Sequence, residues 1–292
     1  MNASMPVRQI QLPPEPRYRP TSRQSAMAGY LGAGVGFGAA AALLGATSGV
    51  FGLVPLLAIY AGVTWWTVDR RRKAHDLVRM NDDAVALLNS GDVHRAAGIF
   101  EQLIASSRGV PAYHALFVYN RGVAFLRAGE FDRALSLFTA ALSSGWLDNE
   151  RMPFRPMIFS GMATAHALRG DIGAAQAWIR DAHAIISDAK RGALLPADVI
   201  AALRSGRPGD AIAMMDSGWA SAEGVLSPVQ LRALKLLRAF ALEFGPANDV
   251  RDAEIQRLID SVHPHPAGAF QYVGAAWPEF QAFLRRAGLT SF

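Results

Sequence analysis

One register recurs four times in this chain, and it restricts the fold more than any other feature of the sequence. Gly91, Gly129, Gly170 and Gly206 are spaced 38, 41 and 36 residues apart. Five residues after each glycine stands an alanine: Ala96, Ala134, Ala175 and Ala211. Four residues further on stands a large apolar residue: Phe100, Phe138, Ile179 and Met215. Seven residues before each glycine lies Ala84, Gly122, Ala163 or Val199. The surrounding apolar residues follow a helical period, so each copy is a helix–turn–helix unit. The glycine falls at the C-terminal end of the first helix, where a left-handed backbone favours it. Asp92 and Asp171 fall where the second helix begins, the end of the macrodipole that suits a carboxylate. Small residues let the paired helices approach closely, and the large ones fill the space between neighbouring units. A unit of this size buries little alone, so the units must stack. The predicted fold class is all-α, with a solenoid of four units over residues 77–222.

The second unit carries the pattern most fully, in Gly122, Phe125, Gly129, Ala134, Phe138 and Ala141. The first follows with Ala84, Leu87, Gly91, Ala96, Phe100 and Leu103. The third has Ala163, Ala175, Ile179 and Ala182, with His166 where a large aromatic or aliphatic residue is usual. The fourth, 199–218, departs furthest and carries Pro208. In this small/large pattern the chain resembles the tetratricopeptide repeat family. The resemblance covers roughly residues 77–222. It implies a concave surface, lined mainly by the first helix of each unit, that takes an extended peptide or a helix of a protein partner. The positions that carry over are Asn81, Val85, Tyr119, Asn120, Val123, Arg127, Thr164, Ile200 and Arg204. Asn120 stands where such repeats often bond a ligand's backbone. For Asn120 and Arg127 an ordinary solvated helix face is an equally open reading. The subset of the family that grips chaperone C-terminal carboxylates uses a Lys and an Asn on its first unit. Here Asn81 and Val85 stand there, and Met157 and Gly161 occupy the third unit's basic positions, which disfavours that activity.

Beyond the repeats, 227–244 and 248–262 read as a degenerate fifth helix pair with Gly245 at the turn. A capping helix is expected over 277–287, starting near Pro278. Spacings longer than the family's period predict extended loops between units, such as 145–153.

A different constraint governs the N-terminal quarter. From Met27 to Val68 there are 42 residues without one Asp, Glu, Lys or Arg. One helix of that length would reach about 63 Å at about 1.5 Å per residue, twice the hydrocarbon thickness of about 30 Å. Two spans, 27–44 and 50–68, joined by the small residues of 45–49, each match one crossing. Arg17, Arg19 and Arg23 precede the pair, and Arg70, Arg71, Arg72 and Lys73 follow it. Basic flanks stay on the cytoplasmic side, so both termini are expected in the cytoplasm. Trp65 and Trp66 sit at interface depth before the basic run. That run also suits anionic lipid headgroups. Gly32, Gly34, Gly36 and Gly38 provide small-residue faces for packing on the second span or for oligomerisation. Residues 1–26 are Pro-rich and basic, which predicts a disordered tail, and 69–76 form a basic juxtamembrane linker. Residues 223–292 hold the degenerate pair and the cap. An uncleaved anchor is favoured over a cleaved signal by the long lead-in and the second apolar segment.

Composition narrows the chemistry. The net charge of +5 is local: residues 1–26 hold four arginines against one acid, residues 69–79 five cations against two, and the remainder is near neutral. A nucleic-acid surface would need its cations on the folded domain, so no nucleic-acid partner is expected. The absence of Cys excludes disulfides and thiol catalysis. His263 and His265 are the one close histidine pair, in a Pro-rich loop poor in further ligands. No catalytic constellation emerges, and no cofactor or metal is expected. Arg far outnumbers Lys, a usage associated with GC-rich bacterial coding. The combined expectation is a non-enzymatic scaffold tethered to a bacterial inner membrane. The alternative is a structural subunit assembled into a membrane complex through its hairpin.

Overall fold

The computed structural model describes residues 74–149, 152–245, 249–265 and 268–290. The expected tail, the apolar stretch 27–68 with its glycines, Trp65 and Trp66, and the basic residues Arg70, Arg71, Arg72 and Lys73 lie outside the described residues. Among the described residues no helix is long and apolar enough to cross a membrane.

Helix α1 occupies 74–90. It is followed by α2 (Val93–Ser106), α3 (Pro111–Arg127), α4 (Phe131–Ser143), α5 (Arg155–Arg169), α6 (Ile172–Ile185), α7 (Leu195–Arg204) and α8 (Pro208–Glu223). These are the first and second helices of the four units. Each repeat glycine has a left-handed backbone, with φ of 94° at Gly91, 78° at Gly129, 93° at Gly170 and 71° at Gly206. The residue after each one returns its N–H to a carbonyl five positions back. The pairs are Asp92 to Leu87, Glu130 to Phe125, Asp171 to His166 and Arg207 to Ala202, at 2.9–3.0 Å. This closure satisfies carbonyls that the helix end would leave orphaned. The Asp92 and Asp171 carboxylates accept from Arg95 N–H and Ala174 N–H, both at 3.3 Å, and so cap the second helices. Pro208 occupies the first turn of α8, where a missing N–H costs no helical bond. The fourth unit therefore folds like the others, with Val199, Ala211 and Met215 fully buried.

In the second, third and fourth units the two helices pack together, and each second helix packs on the first helix of the next unit. The repeat register explains how. A Cβ placed on Gly122 would lie 2.8 Å from the Phe138 ring, and one on Gly161 would lie 3.0 Å from it. The ring thus wedges between two successive first helices, α3 and α5, at positions where an added side chain would crowd it. The resulting stack is the solenoid expected from the repeats.

Two intervals were not legible as structure. The loop after α4 carries a short antiparallel pairing of Asp148–Asn149 with Met152–Pro153, the one departure from all-α among the described residues. Between α6 and α7 a 3₁₀ helix, Asp188–Leu194, lies against α8. Its Gly192 N–H donates to Ser221 Oγ at 3.1 Å. A Cβ there would meet the Ser221 backbone at 2.3 Å, so the approach requires glycine.

The fifth pair forms as α9 (Pro228–Leu242) and α10 (Asp249–Asp260). Gln230 Oε1 accepts the Ser227 N–H at 3.0 Å, fixing the start of α9. The one-turn helix α11 (Gln271–Gly274) and α12 (Pro278–Arg286) complete the described chain.

Between the first two units His114 is buried, with Nδ1 3.1 Å from the Ile104 carbonyl and 3.3 Å from Ser107 Oγ. Burial lowers its pKa from the ordinary 6.5. The bond to Ile104 opposes this, and the nearby Arg108 charge adds to the lowering. The folded state therefore holds His114 neutral at a pH where the unfolded chain already takes a proton. Its contribution to stability is complete above about pH 6.5 and is lost as pH falls through the folded value. The melting temperature is expected to drop between pH 7.5 and 5.5, and less steeply in His114→Gln. Parallel pH profiles for the two proteins would assign the sensitivity to another group.

Candidate functional site

The first helices of successive units lie side by side and leave a groove of about 260 Å³. Its walls come from Tyr119, Val123 and Arg127 of α3, Thr164 of α5, Ile200 of α7 and Leu234 of α9. Helices α4, α6 and α8 contribute no side chain to it. The reason is the register: on α3, Gly122 and Phe125 turn into the helix pair, so Val123 and Arg127 face the other way, while Tyr119, three residues before Gly122, sits at the edge between the two faces. The lining is mainly apolar, and Arg127 is its only charged residue. Tyr119 packs its ring on Phe138 at 5.6 Å and on Phe154 at 6.0 Å. Burial pushes its hydroxyl up to about 12, so it stays a neutral hydrogen-bonding group at physiological pH.

Of the residues expected on the concave face, Val85 lies outside the groove, half-buried against the core, and the other eight divide into three groups. Tyr119, Val123, Arg127, Thr164 and Ile200 come together in the groove, with Met157 and Gly161 beside them. Asn120 and Asn81 lie outside the groove lining and bond to each other: Asn120 Nδ2 donates to Asn81 Oδ1 at 2.7 Å. That bond ties α3 to α1, so the Asn120 amide serves the repeat stack. Arg204 is held elsewhere, with its guanidinium 5.2 Å above the Trp277 ring. Burial lowers the Arg204 pKa, and Glu279 opposes the shift.

The partner of Arg204 shows what the repeat pattern did not reveal. Residues 268–290 do more than cap the last pair, since they return across the ends of the earlier units. Tyr272 lies under Arg127, with the guanidinium 5.6 Å from its ring. Ala275 closes on the turn at Gly129, where a Cβ would lie 3.1 Å from it. Tyr272 and Val273 complete one wall of the groove. On the far side of Arg127 and Tyr272 is a second, larger and more polar basin of about 890 Å³. Its lining includes Asp92, His94, Gln281 and Arg285, and Arg127 and Tyr272 belong to both hollows. The density of aromatic residues over 270–284 was the available signal. Phe270, Trp277, Phe280 and Phe283 are far too apolar for a solvated cap.

Elsewhere the titratable groups serve the scaffold. His183 Nε2 lies 3.1 Å from both carboxylate oxygens of Asp198, linking α6 to α7. Burial raises the Asp198 pKa, and the His183 contact offsets part of that. The His263 and His265 rings lie 4.7 Å apart, tilted by 39°, and His265 packs on Phe270. Among the described residues no group of three or more His, Asp or Glu is placed to hold a metal ion.

A tetratricopeptide repeat family model matches the chain twice, over residues 81–149 and 119–189. The matches take in α2 to α6 and most of α1, and they support that family for this part of the chain. No curated protein and no solved structure matches the chain significantly.

Proposed function

We propose that this chain is a tetratricopeptide-type scaffold that holds a protein partner in the groove of its first helices. Repeat units of this family point to protein–protein interaction. The observation that carries the reading is the groove itself: one apolar hollow lined by α3, α5, α7 and α9 in succession. Apolar, concave surfaces with a few placed polar groups are where proteins bind other molecules. We further propose that residues 27–68 tether this scaffold to a bacterial inner membrane as a helical hairpin, with both termini cytoplasmic. The uncharged 42-residue run and its basic flanks support that topology. A second reading, a structural subunit assembled through the hairpin, draws support from the four-residue spacing of Gly32 with Gly36 and of Gly34 with Gly38.

Photo-crosslinking in cells separates the two. A crosslinking side chain at Thr164, in the groove, should trap a discrete protein partner, and one at Gln102, exposed on α2, should not. Deleting 27–68 should move the crosslinkable domain out of the membrane fraction. Adducts confined to probes within 27–68, with none at Thr164, would favour the subunit reading and remove the groove as the contact.

A further inference from the structure

We infer that the groove and the adjoining basin form one bipartite site for an acidic peptide carrying an apolar anchor, and that the C-terminal segment supplies one of its walls. The inference rests on the scaffold reading and specifies the partner's chemistry. Three observations carry it. The first is size. At about 260 Å³ the groove lies below the roughly 300–1,000 Å³ of small-molecule pockets. It holds one or two large side chains and is too small for a whole helix. The second is polarity. Tyr119 and Val123, both half-buried, face an apolar guest with Ile200, Leu234 and Val273 buried behind them, and no acidic residue lines the groove.

The third is charge. Arg127 stands on the boundary between the hollows, and Arg285 lines the basin beyond it. Neither makes an ion pair with a described residue. The one acid in the basin, Asp92, is already engaged by Arg95, through the N–H at 3.3 Å and the guanidinium at 3.4 Å. Two guanidiniums that pair with no carboxylate among the described residues, at one end of an apolar slot, complement a peptide with acidic residues beside its anchor. Tyr272 holds the Arg127 guanidinium over its ring face, at the mouth of the slot. The site is therefore built jointly. Repeat residues provide the slot and Arg127, and the returning chain provides Tyr272, Val273 and Arg285.

The test uses the full chain in detergent and three fluorescein-labelled hexapeptides, read by fluorescence anisotropy. Glu-Glu-Leu-Phe-Glu-Glu is expected to bind. Lys-Lys-Leu-Phe-Lys-Lys and Glu-Glu-Ser-Ser-Glu-Glu should each bind at least about tenfold more weakly, the scale of one lost charge-assisted bond or one buried side chain. Arg285→Gln should weaken the first probe several-fold and flatten its salt dependence. Arg285 is exposed, so this substitution should leave the melting temperature unchanged. Equal binding of the acidic and basic probes, no binding of the acidic probe, or an unaffected Arg285→Gln variant each overturns the inference. If Thr164 still crosslinks a partner in that case, the scaffold reading stands without it. If Thr164 traps nothing in the unaltered chain, both fall together.

Discussion

Phe138→Ala is expected to destabilise the repeat domain by about 3–5 kcal/mol, the range for truncating a buried aromatic ring. The ring is fully buried and touches two units at once. Its edge lies against the backbone of α3 at Gly122 and of α5 at Gly161, and its centroid lies 5.6 Å from that of Tyr119. Removing it leaves a cavity whose walls are helix backbones, and these close in less readily than side chains do. The same geometry predicts coupling. Gly122→Ala alone should be costly, because its methyl would meet the ring at 2.8 Å. In the Phe138→Ala background the methyl enters the vacated space, so the second substitution should cost little or restore some stability. Denaturant midpoints for the two single variants and the double variant would decide the matter. Strict additivity, or a loss below about 1 kcal/mol for Phe138→Ala, would show that the ring is not the wedge between units.

Phe240→Ala is expected to cost a similar amount, about 3–5 kcal/mol, with a different consequence. The Phe240 ring of α9 meets four others: Phe244 at 5.2 Å, Trp277 at 5.2 Å, Phe280 at 5.1 Å and Phe283 at 5.6 Å. Edge-to-face pairs of this kind add about 0.5–1.5 kcal/mol each beyond their buried area. Three of the four rings belong to the returning C-terminal segment, so truncation releases the element that walls the groove. Hydrogen exchange should show the amides of 270–287 losing protection well before those of α3 and α5. Binding of the acidic hexapeptide should weaken as well, although no residue lining either hollow has been altered. Uniform loss of protection across the whole domain would mean that the segment and the repeats open as one unit.

The units themselves were legible because their determinants are local and repeated. Gly129 needs a left-handed backbone whatever surrounds it. Gly122, Ala134 and Phe138 meet across a single helix pair or its immediate neighbour, so their spacing along the chain is their spacing in the fold. Half of the candidate groove followed from the same rule. Once Gly122 and Phe125 point inward, Val123 and Arg127 point to the concave side, and Thr164 and Ile200 repeat the Val123 position one and two units on.

Periodicity states which face of a helix is turned away from its own partner. It does not state what the rest of the chain places against that face. The pairing of Asn120 with Asn81 joins residues 39 positions apart and has no counterpart in the repeat pattern. Arg127 with Tyr272, and Arg204 with Trp277, join residues much further apart, with no shared register between them. Those contacts form because α9 presents Phe240 to a segment rich in large rings, and burying those rings draws residues 268–290 back over the turns of the stack. The sequence alone determined a stack of glycine-closed helix pairs with an apolar concave face. Tertiary packing decided how much of that face stays open, and which residues of the returning segment border it.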